Sequence, residues 1–61
     1  MLQVGDTFGI FSPDGIITER AFISRLSDAS IWYTTKSNNR NQRVSRKTFM
    51  DCIIEGTFRK I

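Results

Sequence analysis

Apolar residues in this chain recur mostly at every second position, in short runs broken by turn-forming residues. Thr7-Phe8-Gly9-Ile10-Phe11 reads as a strand with Phe8 and Ile10 on one face. Ser12-Pro13-Asp14-Gly15 follows it. Proline pre-sets φ at the second turn position and glycine accepts positive φ at the fourth, so a hairpin is predicted here. Ile16 to Leu26 has no internal Gly or Pro, yet its alternation fails. Ile17, Ala21 and Ile23 share a parity with Glu19 and Arg25, whereas Phe22 and Leu26 share one with Thr18, Arg20 and Ser24. One straight strand cannot bury both sets. A bulge or bend near Glu19–Ala21 is predicted to switch the faces, as in strands that turn the corners of small barrels.

Ser27 to Ser30 reads as a second turn, and Ile31-Trp32-Tyr33-Thr34-Thr35 as a strand. Neighbours in a strand point to opposite sides. The expected arrangement is Tyr33 inward with Ile31, and Trp32 outward with Thr34. Lys36 to Asn41 is polar and reads as a loop or hairpin tip. Gln42 to Val44 reads as a short strand with Val44 toward the core.

The period then changes. Phe49, Cys52 and Ile53 fall on one side of a helix over about 46–55, with Met50 and Ile54 beside them. Ser45 stands where a cap hydroxyl accepts an orphan N–H of the first turn. Gly56 stands where a left-handed residue ends a helix. Thr57 to Ile61 resumes extended structure with Phe58 inward. The expectation is a single small domain over residues 1–61, mainly β with one short helix. A small SH3-like barrel of about five strands fits this order; the alternative is an α+β antiparallel sheet with one packed helix.

Size makes aromatic burial matter. A chain of this length buries only about 60% of its unfolded surface. Cys52 is the single cysteine and there is no histidine, so neither an internal disulfide nor a zinc site is open to it. Seven aromatic residues must compensate, each able to bury roughly 150–250 Å². Self-association is a further way to add burial, with Phe11 or Trp32 as the candidate interface of a homo-oligomer. The lone cysteine fits a reducing setting. No signal peptide is recognisable, and no apolar run approaches the roughly 20 residues that span a bilayer. A cytoplasmic protein without membrane association is expected. Met1 opens the chain and no affinity tag follows, so it reads as a complete small reading frame.

Charge changes the picture more than size does. The net charge is +3. The stretch Lys36 to Lys47 holds five of the nine basic residues, Lys36, Arg40, Arg43, Arg46 and Lys47, and none of the six acidic ones. Clustered charge attracts polyanions better than the same charge scattered. Arg40, Arg43, Arg46 and Lys47 can contact phosphates, and the neighbouring Asn and Gln side chains add amides for phosphates or base edges. Trp32, if exposed, can stack a base. Arg46 and Lys47 fall in the first helical turn, where the helix dipole disfavours cations. Their presence there suggests an anion site at the helix start. The competing reading of every one of these cations is a solvated face that keeps a small protein soluble.

Enzyme readings find little support. The commonest general acid–base residue is missing. Asp51 and Glu55 are helical neighbours, which read more simply as a solvated acidic face. Gly5, Gly9 and Gly15 have the wrong spacing for a phosphate-cradling loop. Cys52 sits among apolar helix positions as a small hydrophobe. No cofactor is implied.

The opening Val4-Gly5-Asp6-Thr7-Phe8, the bent second strand and the ending SRKTFMDCIIEGTFRKI together resemble small SH3-like proteins encoded by phages and other mobile elements. The resemblance covers most of the chain. It implies a binding module rather than an enzyme, and carries over no ligand and no residue-level site. Two functions follow as expectations. One is nucleic-acid binding through the basic loop and helix start of residues 36–47. The other is a small phage-type regulator that binds and inhibits a host protein, such as a polymerase, nuclease or defence component, through an acidic surface of that partner.

Overall fold

A computed structural model describes residues 2–61. Its elements are strands β1 (Thr7–Phe11), β2 (Ile17–Leu26), β3 (Ser30–Thr35) and β4 (Gln42–Ser45), helix α1 (Arg46–Glu55) and strand β5 (Phe58–Lys60). The protein is mainly β with one short helix, as the sequence predicts. All five strands belong to one antiparallel sheet in the order β4-β3-β2-β1-β5. β2 pairs with β1 through Ile17–Phe22 and with β3 through Ala21–Leu26, so its two halves serve different neighbours.

The first hairpin follows from its turn residues. The Gly15 amide donates to the Ser12 carbonyl at 2.9 Å, and the Ser12 amide donates to the Ile16 carbonyl at 2.8 Å. Gly15 has φ 86°, a region that glycine enters without a Cβ clash.

The broken alternation of β2 is resolved at two bulges, one at Thr18 next to the expected Glu19–Ala21 and a second, beyond it, at Ser24. Ile10 pairs with Glu19 but Phe11 pairs with Ile17, which leaves Thr18 as the extra residue. Ile23 pairs with Tyr33 but Arg25 pairs with Trp32, which leaves Ser24 as the extra residue. Packing explains the correction. Ala21 and Ile23 are both buried, so they must share a face, and the phase can change only outside them. Beyond Ser24, Leu26 comes to the inner face opposite Ile31. Both extra residues use their hydroxyls: Thr18 donates to the Ile10 carbonyl at 3.1 Å, and Ser24 donates to Asn41 Oδ1 at 2.8 Å.

The inner face carries the core. Phe8, Ile23, Ile31, Phe49 and Phe58 form one buried cluster, with Leu2, Ile10, Leu26, Tyr33, Val44, Cys52 and Ile53 packed around it. The Phe49 ring meets Phe8 at 5.2 Å and Phe58 at 5.1 Å, both edge-on. Tyr33 meets Phe58 at 6.2 Å. Such pairs add about 0.5–1.5 kcal/mol each beyond burial. Tyr33 thus points inward with Ile31, as its parity predicts.

α1 begins and ends where the sequence places it. Ser45 has extended backbone and its Oγ accepts from the Thr48 amide at 3.1 Å. Gly56 is left-handed at φ 84°, and its amide donates to the Ile53 carbonyl at 3.1 Å. The helix packs against β3, β4 and β5 over the inner face. Among the described residues β4 and β5 do not pair with each other; α1 packs against both edges instead. Among the described residues no second layer covers the opposite, outer face of the sheet.

Candidate functional site

Residues directly opposite on neighbouring strands share a face, so the register alone sorts the outer surface into rows. Arg59, Gly9 and Arg20 form one row across β5, β1 and β2. Thr7, Phe22 and Thr34 form the next across β1, β2 and β3. Arg25, Trp32 and Arg43 form a third across β2, β3 and β4. Beyond the Thr18 bulge, Phe11 lies opposite Ile17. The outer face therefore carries three aromatic rings, Phe11, Phe22 and Trp32, interleaved with four exposed arginines, Arg20, Arg25, Arg43 and Arg59.

Two of the rings are already stacked with cations. The Arg25 guanidinium lies over the Trp32 ring at 4.7 Å, and that of Arg59 over the Phe11 ring at 4.5 Å. Arg59 Nε also donates to the Gly56 carbonyl at 3.0 Å, which fixes its head over Phe11. Phe11 is half-buried as a result. Gly9 makes room for this arrangement. A Cβ there would come within 2.7 Å of the Phe11 ring and 2.8 Å of Ile17 Cδ1, so both side chains pack over the glycine. Phe22, 38% exposed, is the open ring of the face.

Among the described residues no carboxylate stands at an outward strand position, but Glu19 lines a hollow with Ile17, Arg20 and Lys36, and Glu55 lines one with Phe11 and Arg59. Asp6 pairs with Lys60 at 3.6 Å before β1. Asp14 and Asp28 lie in turns, and Asp51 and Glu55 lie on α1. Glu19 has the inner-face parity of its partner Ile10. It accepts from the Ser37 hydroxyl and the Arg20 amide. Those hydrogen bonds, Ser37 foremost, hold its carboxyl below the usual range.

The basic residues of the Lys36–Lys47 stretch are dispersed over the molecule. Arg43 joins the outer face beside Trp32. Lys36 lies near Arg20, its amide donating to the Arg20 carbonyl at 3.2 Å. Arg40 is exposed in the loop between β3 and β4, which the Ser24–Asn41 hydrogen bond ties to β2. Arg46 and Lys47 belong to the helix. Arg46 Nε donates to the Ser27 carbonyl at 2.6 Å, and its amide donates to the Ala29 carbonyl at 3.0 Å. Lys47 pairs with Asp51 at 3.3 Å along the helix surface. The two cations and the Arg46 and Thr48 amides at the helix start therefore each have a partner within the protein.

Sequence reasoning missed Arg20, Phe22, Arg25 and Arg59. Arg20 and Phe22 share a parity in β2, which was the available signal. Arg25 and Arg59 had none, because the first depends on the Ser24 bulge and the second on which strand β5 joins. Comparison with protein-family models, curated proteins and solved structures finds no match to this chain. The reading of the site rests on its own geometry and chemistry.

Proposed function

We propose that the protein is a nucleic-acid-binding module that works through the outer face of its sheet. The observation that carries this reading is the interleaving of Phe11, Phe22 and Trp32 with Arg20, Arg25, Arg43 and Arg59 at the outward strand positions of one sheet. Guanidinium groups make bidentate contacts to phosphate and stack on planar rings. Aromatic rings on an open sheet accept bases. Lys36 and Arg40 extend the positive surface at the loop end. In this account Arg46 ties the helix start to the turn after β2, and Lys47 balances Asp51, so neither is needed for the ligand.

The test is affinity for short DNA and RNA at several salt concentrations. Affinity should fall linearly on a log–log plot, with a slope of about 0.7–0.9 per phosphate contacted. Arg25→Ala with Arg43→Ala should lower that slope by up to about 2 contacts' worth. Salt-independent binding, or a double variant with unchanged affinity, contradicts the proposal.

A second reading is a regulator that binds a protein partner, and one observation favours it. A groove of about 490 Å³ between α1 and β5 is lined by Leu2, Phe8, Met50, Ile53 and Phe58, with Arg59 and Lys60 also on its wall. Ile54, 82% exposed, projects from the same helix. Ile54→Asp should then abolish a stoichiometric complex that survives nuclease treatment of a lysate; a complex insensitive to this change contradicts it. No helix is long and apolar enough to cross a membrane among the described residues.

A further inference from the structure

We infer that the ligand is single-stranded, its unpaired bases stacking on Trp32, Phe22 and Phe11 while the arginine rows take the phosphates; this rests on the nucleic-acid reading above. The shape of the face argues against a duplex. Reading a duplex by its bases requires an element that enters a groove about 12 Å or about 6 Å wide. The outer rings are carried by strands of a sheet, with Trp32 and Phe11 half-buried and Phe11 packed over Gly9. In a duplex the base faces are already stacked on one another, so rings borne on a sheet surface stack only with bases that are unpaired.

The order of the rows supports the same ligand. Along β2, apolar and basic outward positions alternate as Ile17, Arg20, Phe22 and Arg25. Trp32 continues the series beside Arg25, and Phe11 begins it beside Ile17. Same-face residues repeat at about 6.8 Å where a strand is regular, as from Arg20 to Phe22, and the other two steps each cross a bulge. A chain of nucleotides laid along β2 thus meets apolar and cationic groups in turn. The free protein holds two of its rings under guanidinium groups, at 4.7 Å for Trp32 and 4.5 Å for Phe11. The Arg25 side chain is long and flexible, so its head can swing from ring to phosphate as a base arrives, whereas Arg59 is held beside Phe11 by its bond to Gly56. Phe22 carries no stacked cation among the described residues and is the first landing point.

Trp32 is the only tryptophan, so its fluorescence reports the site directly. The experiment titrates the protein with a thymidine oligomer, a uridine oligomer, and a duplex of matched length at one salt concentration. Both single strands should quench Trp32 saturably and bind at least about tenfold more tightly than the duplex. Phe22→Leu keeps the position apolar and should weaken single-strand binding by about tenfold, without affecting the weak duplex binding. Phe22→Tyr restores a ring and should restore affinity. Far-UV circular dichroism checks that both variants fold. Equal affinity for duplex and single strand, or a Phe22→Leu variant that binds single strands like the parent, overturns the inference and leaves the nucleic-acid reading standing. Binding of neither form overturns both.

Discussion

Phe49 is fully buried and holds the rings of Phe8 and Phe58 edge-on, so three separate elements meet at one side chain. Truncating a buried phenylalanine costs about 3–5 kcal/mol. A domain of this size has total stability of about 3–9 kcal/mol. Phe49→Ala should therefore leave the chain largely unfolded or close to it, as a collapse of the urea midpoint; a variant destabilised by less than about 1 kcal/mol contradicts this packing. At this scale much was legible from the sequence. Ile31 is apolar and sits beside a polar turn, which pins the parity of its strand and sends Tyr33 in and Trp32 out. Phe22 was not legible in the same way. Its strand contains two competing apolar parities, and only burial of Ala21 and Ile23 together decides between them.

The limits of α1 and the runs of the strands are legible in the sequence because their causes are local, whereas the bulges of β2 have distant causes. The start and end of α1 depend on Ser45 and Gly56, whose effects act within one turn of chain. Ser45→Ala should cost about 1 kcal/mol in chemical denaturation, because the Thr48 amide loses its acceptor; no measurable change contradicts the cap. The cost of cations at a helix start, about 0.3–1 kcal/mol each, is offset here by the hydrogen bond of Arg46 to Ser27 and the pairing of Lys47 with Asp51. This is why charges that suggested an anion site along the sequence need no ligand in the fold. The bulges in β2 are the opposite case. Their positions follow from the registers with β1 and β3, and neither register is written in the residues of β2 alone.

At the scale of the whole molecule, folding gives the charge a different meaning from the one it has along the chain. The stretch Lys36–Lys47 stands out in sequence, yet only Arg43 of its cations reaches the third outer row. The positive surface is assembled instead from β2, β4 and β5, by Arg20, Arg25, Arg43 and Arg59. A sheet covered by a helix on one side leaves its other side free, and on that side this protein places aromatic rings among guanidinium groups. The central claim is that this outer face, and not the helix side, meets the ligand. Mapping amide chemical shifts during titration with a single-stranded oligonucleotide tests it most directly. The account predicts shifts at Arg20, Phe22, Arg25, Trp32, Arg43 and Arg59, with the amides of Lys47 to Glu55 unmoved. Shifts confined to α1 and the groove beside Met50, with none on the outer face, contradict it.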